Sequence, residues 1–179
     1  MRIKLNEQKG TTLIETIIAI ALLSVILLVA VAFYSVFRGS YMVQIATIQC
    51  QASARTAENH ILSNMRRSDQ SEIYSALNGN SLNVYLPSGE GNIEANYDVE
   101  YNDDNNIYEL VYTKNGDKTV TAQYIDIEAD DEGDVGGFIV KNNGDGVISF
   151  TINTKQQPRG QRKVTFQVKA SHRIRVDRQ

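Results

Sequence analysis

Two hydrophobic patterns follow one another along the first third of the chain. From Leu13 to Phe37 most positions are Ile, Leu, Val, Ala or Phe, with no Gly or Pro before Gly39. From Tyr41 to Met65 apolar residues recur at spacings of three and four, at Ile45, Ile48, Ala52 and at Ala54, Ala57, Ile61, Met65. Gln44, Gln49, Gln51, Arg55, Glu58 and Asn59 make the other face polar. The first pattern predicts a helix that is apolar all round and needs lipid or other helices around it. The second predicts an amphipathic helix with one stripe to cover. Joined, they make a helix of about 50 residues, far longer than the globular average. Gly39 and Ser40 are the place for a bend, and Arg66 and Arg67 complement the C-terminal dipole.

After Ser71 the period changes to two. Leu82, Val84 and Leu86 alternate with polar or aromatic residues, as do Tyr97, Val99 and Tyr101, then Tyr108, Leu110 and Tyr112. Asn115-Gly116-Asp117 predicts a tight hairpin leading into 119–127. The clearest pair is Ile148, Phe150, Ile152 against Val164, Phe166, Val168, joined through Gln156-Gln157-Pro158-Arg159-Gly160. These runs predict an antiparallel sheet of about six or seven strands, one face on the helix and one solvated. Short local turns argue against parallel crossovers. The fold class is therefore α+β.

The apolar run is about 25 residues, roughly 38 Å as helix, against a hydrocarbon core of about 30 Å. Arg2, Lys4 and Lys9 precede it against Glu7, so the N-terminus is expected in the cytoplasm and the rest outside, a single pass through the cytoplasmic membrane. A secretory signal has a shorter core and a cleavage site after it; here the small residue, Gly10, lies before the core. Inside the run stands one charge, Glu15, five residues after Gly10. A carboxylate costs roughly 2.5–3.5 kcal/mol at mid-bilayer and less near an end, so it needs a partner or a purpose.

The basic segment ending in Gly10, the Glu five residues later and the unbroken apolar run resemble the leader and N-terminal segment of type IV pilins and type II secretion pseudopilins. The likeness is specific over the first 37 residues. Beyond them it lies only in layout: long helix, variable middle, closing hairpin and basic tail, as in minor pilins and minor pseudopilins. The resemblance implies a leader at 1–10, a transmembrane and assembly helix at 11–37, its amphipathic continuation at 38–68 and an extracytoplasmic β-rich domain at 69–179. It implies cleavage by a prepilin peptidase between Gly10 and Thr11, N-methylation at Thr11, and pairing of Glu15 with the N-terminal amine of a neighbouring subunit. Partners would be other pilin or pseudopilin subunits, the peptidase and an inner-membrane assembly platform, with the chain ending in a cell-surface or periplasm-spanning filament for motility, competence or secretion. Thr11 stands where most members carry Phe, and the helix-breaking Pro or Gly of many pilins is absent. The rival reading of the same residues is an uncleaved single-pass anchor carrying a binding or sensor domain, with Glu15 reaching the interface.

Charge sharpens the picture only locally. Formal net charge is −3, which gives no reason to expect a nucleic-acid partner. Between Glu90 and Asp134 carboxylates far outnumber the two lysines, whereas from Arg159 onward seven Lys and Arg face Asp177 alone. Such faces either neutralise each other within the fold or meet between subunits. Cys50 is the single cysteine, so an intrachain disulfide is excluded. Asp126, Glu128, Asp130 and Asp134 offer hard oxygen ligands for calcium on a Gly-rich loop, but the EF-hand spacing fails, since Asp131 stands where Gly is required. A solvated acidic loop with no cofactor is the expectation. His60 and His172 have no metal-ligand companions in the sequence, and no nucleophile elbow, phosphate loop or zinc-protease signature occurs. The chain reads as a structural protein, not an enzyme.

Overall fold

A computed structural model describes residues 12–68, 70–76, 79–88, 91–128, 136–143 and 147–173. Among these residues one helix, α1 (Leu13–Arg67), is 55 residues long and is followed by eight strands. These are β1 (Gln70–Ala76), β2 (Gly79–Ser88), β3 (Gly91–Asn102), β4 (Ile107–Lys114), β5 (Asp117–Gln123), β6 (Phe138–Asn142), β7 (Val147–Gln156) and β8 (Val164–Arg173). The chain divides into two compact units, Met1–Tyr41 and Met42–Gln179.

In the first unit α1 is apolar and its large side chains are exposed along its length, from Leu13 to Tyr41. It is long and apolar enough to cross a membrane, and the chain buries none of that stretch itself. Gly39 and Ser40 are helical. The hydroxyls of Thr16, Ser24 and Ser35 are satisfied within the helix. Thr16 Oγ1 donates to the Leu13 carbonyl at 2.8 Å, Ser24 Oγ to Ala21 at 2.7 Å and Ser35 Oγ to Ala32 at 2.8 Å. In lipid, where water cannot serve, this removes most of the cost of those polar groups.

In the second unit residues 42–67 of α1 pack on the sheet through Ala46, Cys50, Ala54, Ala57, Ile61, Asn64 and Met65. The stripe differs from the predicted one at its start. Ile48 is exposed and Ile45 only half-buried, while Ala46 and Cys50 are buried. Four small residues lead the stripe because backbone groups approach closely there. Thr154 Oγ1 lies 3.2 Å from both the Cys50 and Phe166 carbonyls, and Ser53 Oγ donates to the Gln123 carbonyl at 2.9 Å while accepting from its N–H at 2.6 Å. Larger residues, Ile61 and Met65, fill the wider space beyond, with Tyr97, Phe138, Phe150, Leu82, Leu110 and Ile152 all fully buried.

The sheet runs β5-β4-β3-β2-β6-β7-β8, with β1 also paired to β2. All pairs are antiparallel except β2 with β6, which meet in parallel at Gly79 and Phe138. That exception, and strands β1 and β6, escaped the periodicity reading. β1 is polar (QSEIYSA), and β6 opens with three consecutive buried residues, Phe138, Ile139 and Val140, that show no alternation. The predicted hairpin at Asn115-Gly116 is present, with both residues at positive φ, 53° and 86°, as the type I′ turn requires. The closing hairpin β7–β8 also has the predicted alternation, Ile148, Phe150, Ile152 and Val168 being buried.

The strand predicted over 119–127 ends at Gln123 instead. Tyr124 adopts φ 62°, an unusual value for a bulky residue, and the chain swings from one end of the sheet to the other. Ile125 N–H donates to the Tyr108 carbonyl on β4, and Asp126 N–H donates to Asn153 on β7, both at 2.9 Å. The crossing passes so close to Gly137 that a Cβ there would lie 2.0 Å from Ile125 Cγ2 and 2.7 Å from the Asp126 carbonyl oxygen.

Candidate functional site

The helix begins at Thr12-Leu13-Ile14-Glu15, an arrangement that gives Glu15 a partner within its own chain. Thr12 N–H donates to Glu15 Oε2 at 2.9 Å, and Glu15 N–H approaches Thr12 Oγ1 at 3.4 Å. These reciprocal bonds form a capping box, which satisfies two of the donors that a helix N-terminus leaves open. The carboxylate is also placed favourably against the positive end of the helix dipole. The spacing T-x-x-E preceding an apolar run is a signal legible in sequence, yet the reading centred on Gly10 and Glu15 passed over it. Oε1 of Glu15 makes no hydrogen bond among the described residues. Gly10, Thr11 and the whole leader lie outside those residues.

The described start of the acidic segment, through Glu128, meets lysines. Asp126 and Glu128, two of the four calcium candidates, face Lys155 and Lys163. Lys163 Nζ lies 2.7 Å from Glu128 Oε2 and 3.9 Å from Asp126 Oδ2, while Lys155 Nζ pairs with Glu128 and lies 3.6 Å from Asp126 Oδ1. Hydrogen bonds from Lys155 and Lys163 hold the Glu128 carboxyl down at about 2, and Glu128 in turn raises Lys163. Among the described residues no group of three or more His, Cys, Asp and Glu is placed to hold a metal. Asp130 and Asp134 lie outside them. Part of the acidic segment thus meets part of the basic one inside the fold.

The histidines are separated. His172 lies half-buried on β8 opposite Ile148. His60 joins a polar cluster between helix and sheet that sequence spacing could not reveal. Asn64 Nδ2 donates to Tyr97 Oη at 2.6 Å, leaving the phenol hydrogen for His60 Nδ1 at 2.8 Å. That assigns the ring the tautomer with its proton on Nε2. Tyr112 packs edge-on against the same imidazole at 4.7 Å between centroids. Burial lowers the His60 pKa below its ordinary value and raises those of Tyr97 and Tyr112. The cluster joins helix to sheet. Cys50 is fully buried, and burial pushes its thiol pKa up, away from reactive thiolate character.

The distinctive feature is the N-terminal segment itself. Residues 5–31 match the model of the prokaryotic N-terminal methylation motif. No curated protein and no solved structure matches the chain. The motif runs into the exposed apolar helix from Leu13 onward, and the two together fit a prepilin-type membrane segment. That motif supports a likeness to the type IV pilins and pseudopilins over this segment, and with it a pilin-like prepilin peptidase substrate.

Proposed function

We propose that the protein is a structural, non-catalytic subunit, a minor pilin or minor pseudopilin, of a type IV pilus, competence pilus or type II secretion pseudopilus. A prepilin peptidase cuts after Gly10 on the cytoplasmic face, and Thr11 becomes the methylated N-terminus. Residues 13–37 anchor the chain in the cytoplasmic membrane and then enter the filament core, while the sheet unit forms the outer surface. The observation that carries this reading is the methylation motif lying on a helix whose apolar surface the chain leaves uncovered. Without a hydrophobic driving force in lipid, helices associate by packing and by polar contacts. Oε1 of Glu15, the carboxylate oxygen not engaged in the cap, is available to a neighbour's amine.

Co-expression of the full chain with a prepilin peptidase tests the first step. The expected mass at the N-terminus corresponds to a chain beginning at Thr11 with one added methyl group. Intact Met1–Gly10 overturns the proposal. One observation favours the rival, an uncleaved anchor for a binding or sensor domain. The capping box relieves Glu15 in a lone chain, so the carboxylate does not require another subunit. The same experiment separates the two readings. The reading assigns no calcium to Asp126 and Glu128, whose carboxylates face Lys155 and Lys163.

A further inference from the structure

Contacts between helix and sheet fix which end of the second unit is the one where the chain enters it. Cys50 and Ser53 meet Thr154 on β7 and Gln123 on β5, whereas His60 and Asn64 meet Tyr97 on β3, and Ser68, just past α1, meets Tyr85 on β2. On β4, Glu109 pairs with Gln123 and Tyr112 with Tyr97, so β4 leads away from the entry end. The register carries that direction through β3, β2 and β6 to β7, which leads toward the entry end, while β8 leads back from it. The loop 157–163 that joins β7 to β8 therefore stands at that end. From Cys50 back to Met42 is eight residues, about 12 Å of helix, and from Thr154 on to Pro158 is four residues, about 13 Å of extended chain. The loop comes level with the start of the unit. Phe37, where the apolar run ends, is only five helical residues, about 8 Å, before Met42.

The loop has a defined shape. Gln161 N–H donates to the Pro158 carbonyl at 2.9 Å and Gly160 adopts φ 73°, a tight turn that leaves Arg159 and Arg162 exposed. Neither arginine has an ion-pair partner among the described residues. Lys155 and Lys163, at the base of the loop, already face Asp126 and Glu128. Arg159 and Arg162 are thus the cations left over on the hairpin side of this end. The other side differs in sign, since the β3–β4 turn carries Asp103 and Asp104. Guanidinium groups bind phosphate oxygens through paired N–H donors. Two of them unmatched on one short loop suit a surface of phosphates, and the acidic turn sets which side of the unit turns toward it.

We infer that the 157–163 loop, through Arg159 and Arg162, rests on the headgroups of anionic phospholipid in the bilayer that α1 crosses. The site lies wholly on the second unit, and the span only brings it near the membrane. A basic residue near an anionic surface gains about fivefold in population, within a Debye length of about 8–10 Å. Two such residues would hold a free protein weakly. Tethered five residues from the span, they face lipid at high effective concentration, so that a small gain suffices to orient the unit. The inference rests on the membrane-span reading of residues 13–37. It is independent of cleavage and of filament assembly.

The full chain is reconstituted in vesicles of phosphatidylcholine, or of phosphatidylcholine with phosphatidylglycerol, each with a nitroxide on a fraction of the headgroups. Both leaflets have the same composition, so either orientation of the chain meets the same surface. A fluorophore is attached through Gln157→Cys on the loop, or through Asp117→Cys in the β4–β5 turn at the far end. Cys50 is buried, and the unsubstituted chain checks that it takes no label. The loop label should be quenched several-fold more in the anionic vesicles than in the neutral ones, and about 0.5 M salt should remove most of that contrast. The label at 117 should show none. R159E/R162E should abolish the contrast at 157. Equal quenching of the loop label in the two lipids, or a contrast that persists in R159E/R162E, overturns the inference. The lipid contrast and its salt dependence are read in chains that keep both arginines, so they decide the matter even if that variant fails to fold. Flotation of the same vesicles separates the anchor from the loop. A chain that floats with neither lipid overturns the membrane span and this inference with it, whereas one that floats with both and shows no contrast overturns the inference alone.

Discussion

The two halves of α1 share one helix and one backbone geometry but solve burial in opposite ways. Residues 13–37 are apolar around the whole circumference and exposed, with Leu13 at 80% and Phe37 at 61%. Residues 42–67 show a narrow buried stripe, and its members from Ala46 to Ala57 are all small. In the first half no particular neighbour is specified, and any apolar medium or similar helix will serve. In the second half, Ser53 with Gln123 and Cys50 with Thr154 define one partner and one register. A helix can therefore serve an interchangeable environment and a unique one in series, and side-chain size on the buried face distinguishes them. Broad aliphatic side chains maximise contact with lipid or with other helices, while small ones admit a backbone.

The sharpest test of that contrast is a matched pair of truncations in the full chain in detergent. Ile61→Ala, in the unique half, should destabilise the sheet unit by about 2–5 kcal/mol, through lost burial and the cavity left behind. Leu23→Ala should leave the same denaturant transition within about 0.5 kcal/mol. Equal losses would mean that the first half is also packed within the single chain. Next in size, Gly137→Ala should cost about 1–3 kcal/mol, since the added methyl meets Ile125 and the Asp126 carbonyl where the crossing is tightest. An unchanged midpoint would show that the crossing can shift aside.

Glu15 tests the interchangeable half. Glu15→Ala removes both cap and charge, costing the helix start about 0.5–2 kcal/mol; membrane insertion should survive while incorporation into filaments falls several-fold. Glu15→Gln can still accept from Thr12 N–H, so it separates the two roles. Incorporation restored by Gln would assign the need to the cap, and incorporation still low would assign it to the charge.

The smallest expected effects are pH dependences confined to the second unit. Burial lowers the His60 pKa below the ordinary 6.5, so on acidification the unfolded chain binds a proton before the folded one. Stability is then full above about pH 6.5 and declines as pH falls below it, until folded His60 titrates. Glu128 has a folded pKa of about 2 against an ordinary 4.5. Its contribution is present above about pH 4.5 and is lost as pH falls through 2. Denaturant midpoints measured from pH 7.5 to pH 2.5 should decline in these two windows. His60→Gln should flatten the upper one and Glu128→Gln the lower, the latter only slightly because the carboxylate is exposed. A decline unaffected by either substitution would place the acid sensitivity elsewhere.

Local pattern was most informative where one physical requirement dominated a whole segment. The span, the Asn115-Gly116 turn and the β7–β8 alternation were legible because lipid length, positive φ and a two-residue period leave direct marks on residue choice. The error in the helix stripe, Ile48 for Ala46 and Cys50, came from assuming that the larger apolar residue is the buried one. Close backbone approach reversed that preference. β6 was missed because its opening residues are buried in succession, which erases alternation, and β1 because it is polar. The capping box was within reach of the sequence, since Thr12 and Glu15 have the spacing of that motif. The His60–Asn64–Tyr97–Tyr112 cluster was not, because its members come together only when β3 and β4 lie against the helix.

The sequence by itself determined the membrane-length helix, the position of Glu15 five residues after Gly10 and the α+β order of elements. These depend on composition and on contacts between residues close along the chain. Tertiary structure alone decided that Lys155 and Lys163 face Asp126 and Glu128. It also set the crossing at Tyr124 and the parallel meeting of β2 and β6. Each of these depends on which distant segments become neighbours. Strand pairing sets that, with side chains tens of residues apart meeting only once the sheet has closed on the helix.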